Sequence, residues 1–205
     1  MSSPTLPPLP RAGRSFARGP APRTRTRRSA AAATAAAAAV VLGVLSGGAA
    51  TAAAKVAPPD VPSKIAVEAG HKPYLVGHAT GVQSYPCDGA TWGPATPRAV
   101  LTKDDGKVFI THYGGPTWEA NDGSTVIGSR VDGVTVGADA IPWLLLSAAS
   151  TTTGPDGDKL TKTTFVQRIN TTGGKAPAAS DCTPARAGER VEIPYTADYV
   201  FWRKD

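Results

Sequence analysis

Gly114-Gly115-Pro116-Thr117-Trp118-Glu119-Ala120-Asn121-Asp122-Gly123-Ser124-Thr125-Val126 is the stretch whose reading decides the fold. Asn121-Asp122-Gly123 is a hairpin signal, because Asp and Gly accept the positive φ that hairpin turns require. The flanks, Thr117 to Ala120 and Ser124 to Ser129, read as strands, and Gly114-Gly115-Pro116 breaks the chain just before them. His112 lies immediately upstream. The hairpin is expected to bring His112, Trp118, Glu119, Asp122 and Ser124 to one end of a sheet, the densest chemistry in the chain.

Outward from this hairpin the same punctuation repeats. Arg98 to Thr102 and Lys107 to Tyr113 flank Asp104-Asp105-Gly106, and Val131-Asp132-Gly133 reads as a third turn leading into Val134 to Val136. Upstream, Ile65 to Glu68 reads as a short strand. Lys72 to Tyr85 alternates, with Gly81 expected at a bulge or bend. Downstream, Pro142 to Ala149 is an apolar run too short for a stable helix, and Thr161 to Ile169 is β-branched. Val191 to Arg203 ends the pattern, after a long loop from Thr171 to Arg190. No window of ten residues after the first 54 has helical periodicity. The fold class is therefore all-β: an antiparallel sandwich or a partly closed barrel.

Residues 1–54 have a different character. An acid-free segment rich in Pro, Ser and Arg is followed by the alanine-rich run Ala30 to Leu45 and then by small residues, the order of a signal peptide. Ala52-Ala53-Ala54 is the expected cleavage site, with Ala50-Thr51-Ala52 as the alternative. Arg27-Arg28 opens the apolar run, as twin-arginine export signals do, although paired arginines also occur in ordinary leaders. Lys55 to Ser63, rich in proline, reads as a linker, and 64–205 as one domain. Seven of the 22 Lys and Arg residues lie in the leader, leaving 15 against 16 acids. The mature chain is thus near neutrality, and no basic cluster remains to track a phosphate backbone, which excludes nucleic acid as a partner. No membrane span is expected after cleavage.

Two cysteines, Cys87 and Cys182, fall in the expected mature part. In an exported chain an even pair favours a disulfide, with two buried thiols as the alternative. Such a bond would be worth roughly 4–5 kcal/mol in the chain-entropy model.

Several short motifs occur in a recognisable order: Gly81-Val82-Gln83 with Tyr85 and Cys87, Trp92-Gly93-Pro94-Ala95-Thr96-Pro97-Arg98, Gly115-Pro116-Thr117-Trp118 and Asp122-Gly123-Ser124. Ile141-Pro142-Trp143-Leu144-Leu145, Gln167-Arg168-Ile169-Asn170-Thr171 and Tyr195-Thr196-Ala197-Asp198-Tyr199 follow. Over roughly residues 60 to 203 the chain resembles the domain-of-unknown-function 3455 family of exported bacterial and fungal proteins. The resemblance implies one secreted domain and brings no activity and no catalytic residues with it.

His112, Asp122 and Ser124 contain the parts of a triad, but no Gly-x-Ser-x-Gly elbow is present and Ser124 follows a turn, where serine is ordinary. Glu119 and Asp122 form a potential carboxylate pair for glycoside hydrolysis, which needs roughly 5–9 Å between them; two neighbouring surface acids look the same. His78 and His112 with a carboxylate would suit a metal, whereas His78 on an alternating strand reads more simply as a hydrogen-bonded, half-buried residue. No metal and no cofactor are expected. Trp92 and Trp118, in Gly/Pro-rich loops, offer stacking faces for a ligand or plugs for the core. The residues together suit an exported binding or interaction module for a glycan or cell-envelope component, with His112, Trp118, Glu119, Asp122 and Trp92 as its binding residues. A secreted hydrolase of polysaccharide or ester and a structural envelope or surface protein are the alternatives.

Overall fold

Alternating apolar residues on successive strands leave each strand with one face to bury and two edges to pair, and the chain meets both needs by closing on itself. The computed structural model describes residues 55–205, so the expected signal peptide lies outside the described residues. Eight strands follow in order: β1 (His71–Pro86), β2 (Thr96–Thr102), β3 (Val108–Tyr113), β4 (Thr117–Ala120), β5 (Thr125–Val134), β6 (Trp143–Thr152), β7 (Phe165–Gly173) and β8 (Arg190–Lys204). Each pairs antiparallel with the next, and β8 pairs back onto β1, giving a closed up-and-down barrel. The two longest strands, of 16 and 15 residues, form the seam, which runs from His71↔Lys204 to Pro86↔Arg190. That seam decides for a barrel against a sandwich. Among the described residues no helix is long and apolar enough to cross a membrane.

The hairpin at Asn121-Asp122-Gly123 forms as expected, with Trp118 opposite Val126 and Gly123 at φ 78°. Four local expectations need correction. Val131-Asp132-Gly133 does not reverse the chain; β5 runs through it, and a register shift between Arg130 and Asp132 bends the strand instead. Gly81 is not at a bulge. It sits in unbroken register opposite Ala99, and a Cβ there would lie 2.2 Å from the Arg98 carbonyl oxygen, so glycine permits the close approach of β1 and β2. Ile65 to Glu68 is not a strand. Ser63–Ile65 is a 3-10 turn lying across the outside of the barrel, because Ile65 is buried with Leu145, Ile169, Val200 and Trp202. Gln167 donates to the Ile65 carbonyl at 2.7 Å and accepts from the Trp202 indole at 2.8 Å, which satisfies the polar groups this strap buries. The last strand-bearing hairpin begins later than the threonine-rich run suggested: β7 starts at Phe165 and extends to Gly173.

Up-and-down topology sends alternate connections to opposite ends. The β2–β3, β4–β5 and β6–β7 connections form a base, and the β1–β2, β3–β4, β5–β6 and β7–β8 connections surround a mouth. Leu160, from the β6–β7 connection, joins the interior cluster with Leu101, Ile110, Val126, Val166 and Phe201. At the mouth, Cys87 and Cys182 are bonded (S–S 2.01 Å), tying the β1–β2 connection to the β7–β8 connection across a sequence separation of 95.

Candidate functional site

The interior is packed towards the base and open towards the mouth, where a cavity of about 250 Å³ remains. Its wall is built by strand alternation. On β3 and β4, Ile110 and Ala120 fill the core while His112 and Trp118, directly opposed across the two strands, face the cavity. Their rings stack at 4.4 Å with planes 6° apart, and Tyr199 of β8 meets both edge-on, at 5.0 and 5.3 Å. Leu144 and Leu146 of β6 make the apolar side, and Ala95, Pro97 and Pro116 form the rim.

The charged groups of the cavity are both arginines, and the acceptors on its lining side chains are neutral. His112 is 3% exposed and its Nδ1 donates to the Thr117 carbonyl at 2.8 Å, which leaves Nε2 unprotonated in the neutral ring. Burial drives its pKa down to about 4, against the Thr117 hydrogen bond and with the help of the Arg168 charge. The Arg168 guanidinium enters from β7. Its Nε and Nη2 both donate to the Pro142 carbonyl, at 3.1 and 2.9 Å, which orients the plane. Arg130 stands at the exposed side of the cavity. Neither arginine has a carboxylate partner among the described residues. Gln83 is 2% exposed and Trp118 is 1% exposed, yet Gln83 Nε2 and Trp118 Nε1 have no hydrogen-bond partner. No Asp or Glu is among the described residues that line the cavity.

Of the residues expected from sequence to bind a ligand, the structure brings His112 and Trp118 together in this wall. Glu119, one residue on, faces outward and accepts from the Tyr113 hydroxyl at 2.8 Å. Asp122 lies at the base. Its Oδ1 accepts from Ser124 N and Oγ at 3.0 and 2.6 Å, and its Oδ2 accepts from Lys159 N at 2.9 Å, pinning the β6–β7 connection. Desolvation raises the Asp122 pKa, but these hydrogen bonds outweigh it and hold the carboxyl at about 2. Ser124 is fully enclosed, accepts from Leu160 N at 3.1 Å and makes no bond to His112, so the triad parts are not assembled. Trp92 is at the mouth end but outside the cavity; its indole donates to the Ala178 carbonyl at 3.0 Å and the Arg186 guanidinium lies 5.2 Å over its ring. His78 does not approach His112. It is held between Asp198 and Asp104 at 2.7 and 2.9 Å, bonds that raise its pKa. No group of three or more His, Cys, Asp or Glu side chains suited to a metal occurs among the described residues.

Gln83, Arg130, Leu144, Leu146, Arg168 and Tyr199 were not among the expected site residues. One signal was available for Arg168: it shares the inward phase of β7 with the buried Val166, and a charged residue at a core-facing position of a strand calls for a functional reason. The family model described as "Protein of unknown function (DUF3455)" matches residues 99–203, just over half of the chain. That span takes in His112, Trp118, Arg130, Arg168 and Tyr199, and leaves out Gln83 and all of β1. No curated protein and no solved structure matches the chain.

Proposed function

The chain belongs to the DUF3455 family of proteins of unknown function, and we propose that within it this barrel is an exported binding module that takes a small molecule into the mouth of its lumen and performs no chemistry on it. The observation that carries the reading is the pair of buried, unpartnered nitrogens, Gln83 Nε2 and Trp118 Nε1, on residues that line one cavity. Leaving a buried donor unmet costs about 1–3 kcal/mol, so a fold that keeps two beside an open space has a use for them. Small-ligand sites are concave, mostly apolar and fitted with a few polar groups, and the mouths of β-barrels are among their usual places. A volume of about 250 Å³ suits a ligand smaller than a typical drug.

A polysaccharide face is disfavoured, because Trp118 offers no exposed ring and Trp92 is engaged elsewhere. Hydrolysis is disfavoured because Ser124 is enclosed and His112 bonds a backbone carbonyl. The Cys87–Cys182 bond supports a site of action in an oxidising compartment, reached after removal of residues 1–54. The test is a thermal-shift panel of small neutral and charged compounds on the protein and on Leu144→Trp, which fills the cavity. Compounds that stabilise the first and not the second are expected. A panel with no such compound overturns the reading.

A further inference from the structure

We propose that the ligand of the barrel is a small organic acid, its oxyanion head held by Arg130 and Arg168 and its short apolar body laid against Leu144 and Leu146. The inference rests on the binding-module reading and adds the chemistry of the ligand.

The cavity carries positive charge and no negative charge: its acceptors, on Gln83, His112 and Tyr199, are neutral. Arg168 and Arg130 bring N–H groups to it, the unpartnered Gln83 Nε2 and Trp118 Nε1 belong to residues of the same wall, and the described lining holds no carboxylate to answer them. Both guanidiniums lack an ion pair, although the seven ion pairs among the described residues include those of Arg98 and Arg186. A guanidinium on an inward strand position is costly without an anion, and its planar fork matches the two oxygens of a carboxylate. Arg168 is already oriented: Nε and Nη2 donate to the Pro142 carbonyl, and the guanidinium lies beside the Tyr199 hydroxyl in the same wall. Water would satisfy the N–H groups but would leave the Arg168 charge unbalanced; Arg130, exposed at the cavity's edge, already shares the field of Asp132. A cation would meet like charge, with neutral His112 Nε2 as a poor inducement. Leu144, Leu146, Pro97 and Pro116 supply the remaining wall, which favours an acid with a hydrocarbon portion over a bare inorganic anion.

The experiment titrates the full disulfide-bonded protein with hexanoate, with hexanol as the neutral analogue of equal length, and with inorganic phosphate. Affinity is read by calorimetry, and position by the NMR signal of the Trp118 indole N–H. Hexanoate is expected to bind and to shift that signal, and hexanol to bind at least about tenfold more weakly, because hydrogen bonds to charged groups are lost. Arg130→Gln, a substitution at an exposed residue without an ion pair, should weaken hexanoate by a similar factor and leave hexanol unchanged. Arg168→Lys, which keeps the charge and loses the fork, should weaken hexanoate as well. Hexanol matching hexanoate, or both variants binding hexanoate normally, overturns the acid assignment and leaves lumen binding standing. Phosphate matching hexanoate overturns the apolar body. Failure of hexanoate to bind at millimolar concentration overturns this inference; the binding-module reading falls only if the neutral and charged panel also fails.

Discussion

Acidifying the protein from pH 6.5 to pH 5 should destabilise it through one residue, His112. The ring is 3% exposed and its pKa in the folded barrel is about 4, against a reference of 6.5. Because the folded value is the lower one, the unfolded chain binds a proton first as pH falls. The stabilisation is therefore complete above about pH 6.5 and is lost progressively down to about pH 4. The full difference of 2.5 pH units corresponds to about 3 kcal/mol, of which about 2 kcal/mol is lost by pH 5. Other groups act outside this window. Asp88, Asp105, Asp122 and Asp132 have lowered pKa values, so their contributions fade below the ordinary carboxylate range. His78 has a raised pKa, so its contribution is present below 6.5 and fades as pH rises through its folded value. Urea unfolding at pH 7.5, 6.5, 5.5 and 5.0 measures the slope. His112→Asn is the control, since the Asn amide nitrogen can donate to the Thr117 carbonyl as Nδ1 does but does not titrate. The variant should keep only the His78 contribution between pH 7.5 and 6.5 and show little change of stability from pH 6.5 to 5.0. Equal slopes in the two proteins would refute the claim that His112 is buried in its neutral form.

Reducing Cys87–Cys182, or replacing both by Ser, should lower stability by about 4–5 kcal/mol, because the bond spans 95 residues; denaturant titration with and without reductant checks it. Gly81→Val should cost on the order of 1–3 kcal/mol or prevent folding, since the added side chain meets the Arg98 carbonyl oxygen and Ala99 where β1 and β2 approach; thermal melts compared with Gly106→Val, at a turn glycine with open space, separate packing from backbone effects. Asp122→Ala should remove the acceptor of three hydrogen bonds and cost about 1–3 kcal/mol at pH 7, with faster amide exchange at Lys159 and Leu160 as the local signature. The same variant should lose less stability than the parent between pH 4 and pH 2, because a carboxyl held at about 2 loses its contribution only as pH falls through that value.

Local chemistry determined much of this protein without help from the rest of the chain. The turn at Asn121-Asp122-Gly123 is a backbone preference of three residues, and it forms where the sequence places it. The all-β class follows from period-two alternation, and the cysteine pair from its even number and the export expected from residues 1–54. His112 and Trp118 were legible as neighbours because a tight hairpin brings β3 and β4 together over a few residues. What lay beyond reach depends on partners far apart in sequence. Gly81 looks like a bend on its own strand, and only the approach of Arg98 and Ala99 shows why a side chain is forbidden there. Val131-Asp132-Gly133 has the composition of a turn, but pairing with Leu144 and Leu145 on β6 holds it extended. Glu119 and Asp122 sit beside Trp118 in sequence, yet strand alternation turns one outward and the hairpin carries the other to the opposite end. Barrel closure is the largest such decision. Pairing β8 with β1 converts an inner face into a lumen, and that lumen alone brings Gln83, Arg130, Arg168 and Tyr199, from four different strands, to the ring of His112 and Trp118. The alternation of one strand says which residues share a face; how many strands curl around that face, and what they enclose, is settled by long-range pairing.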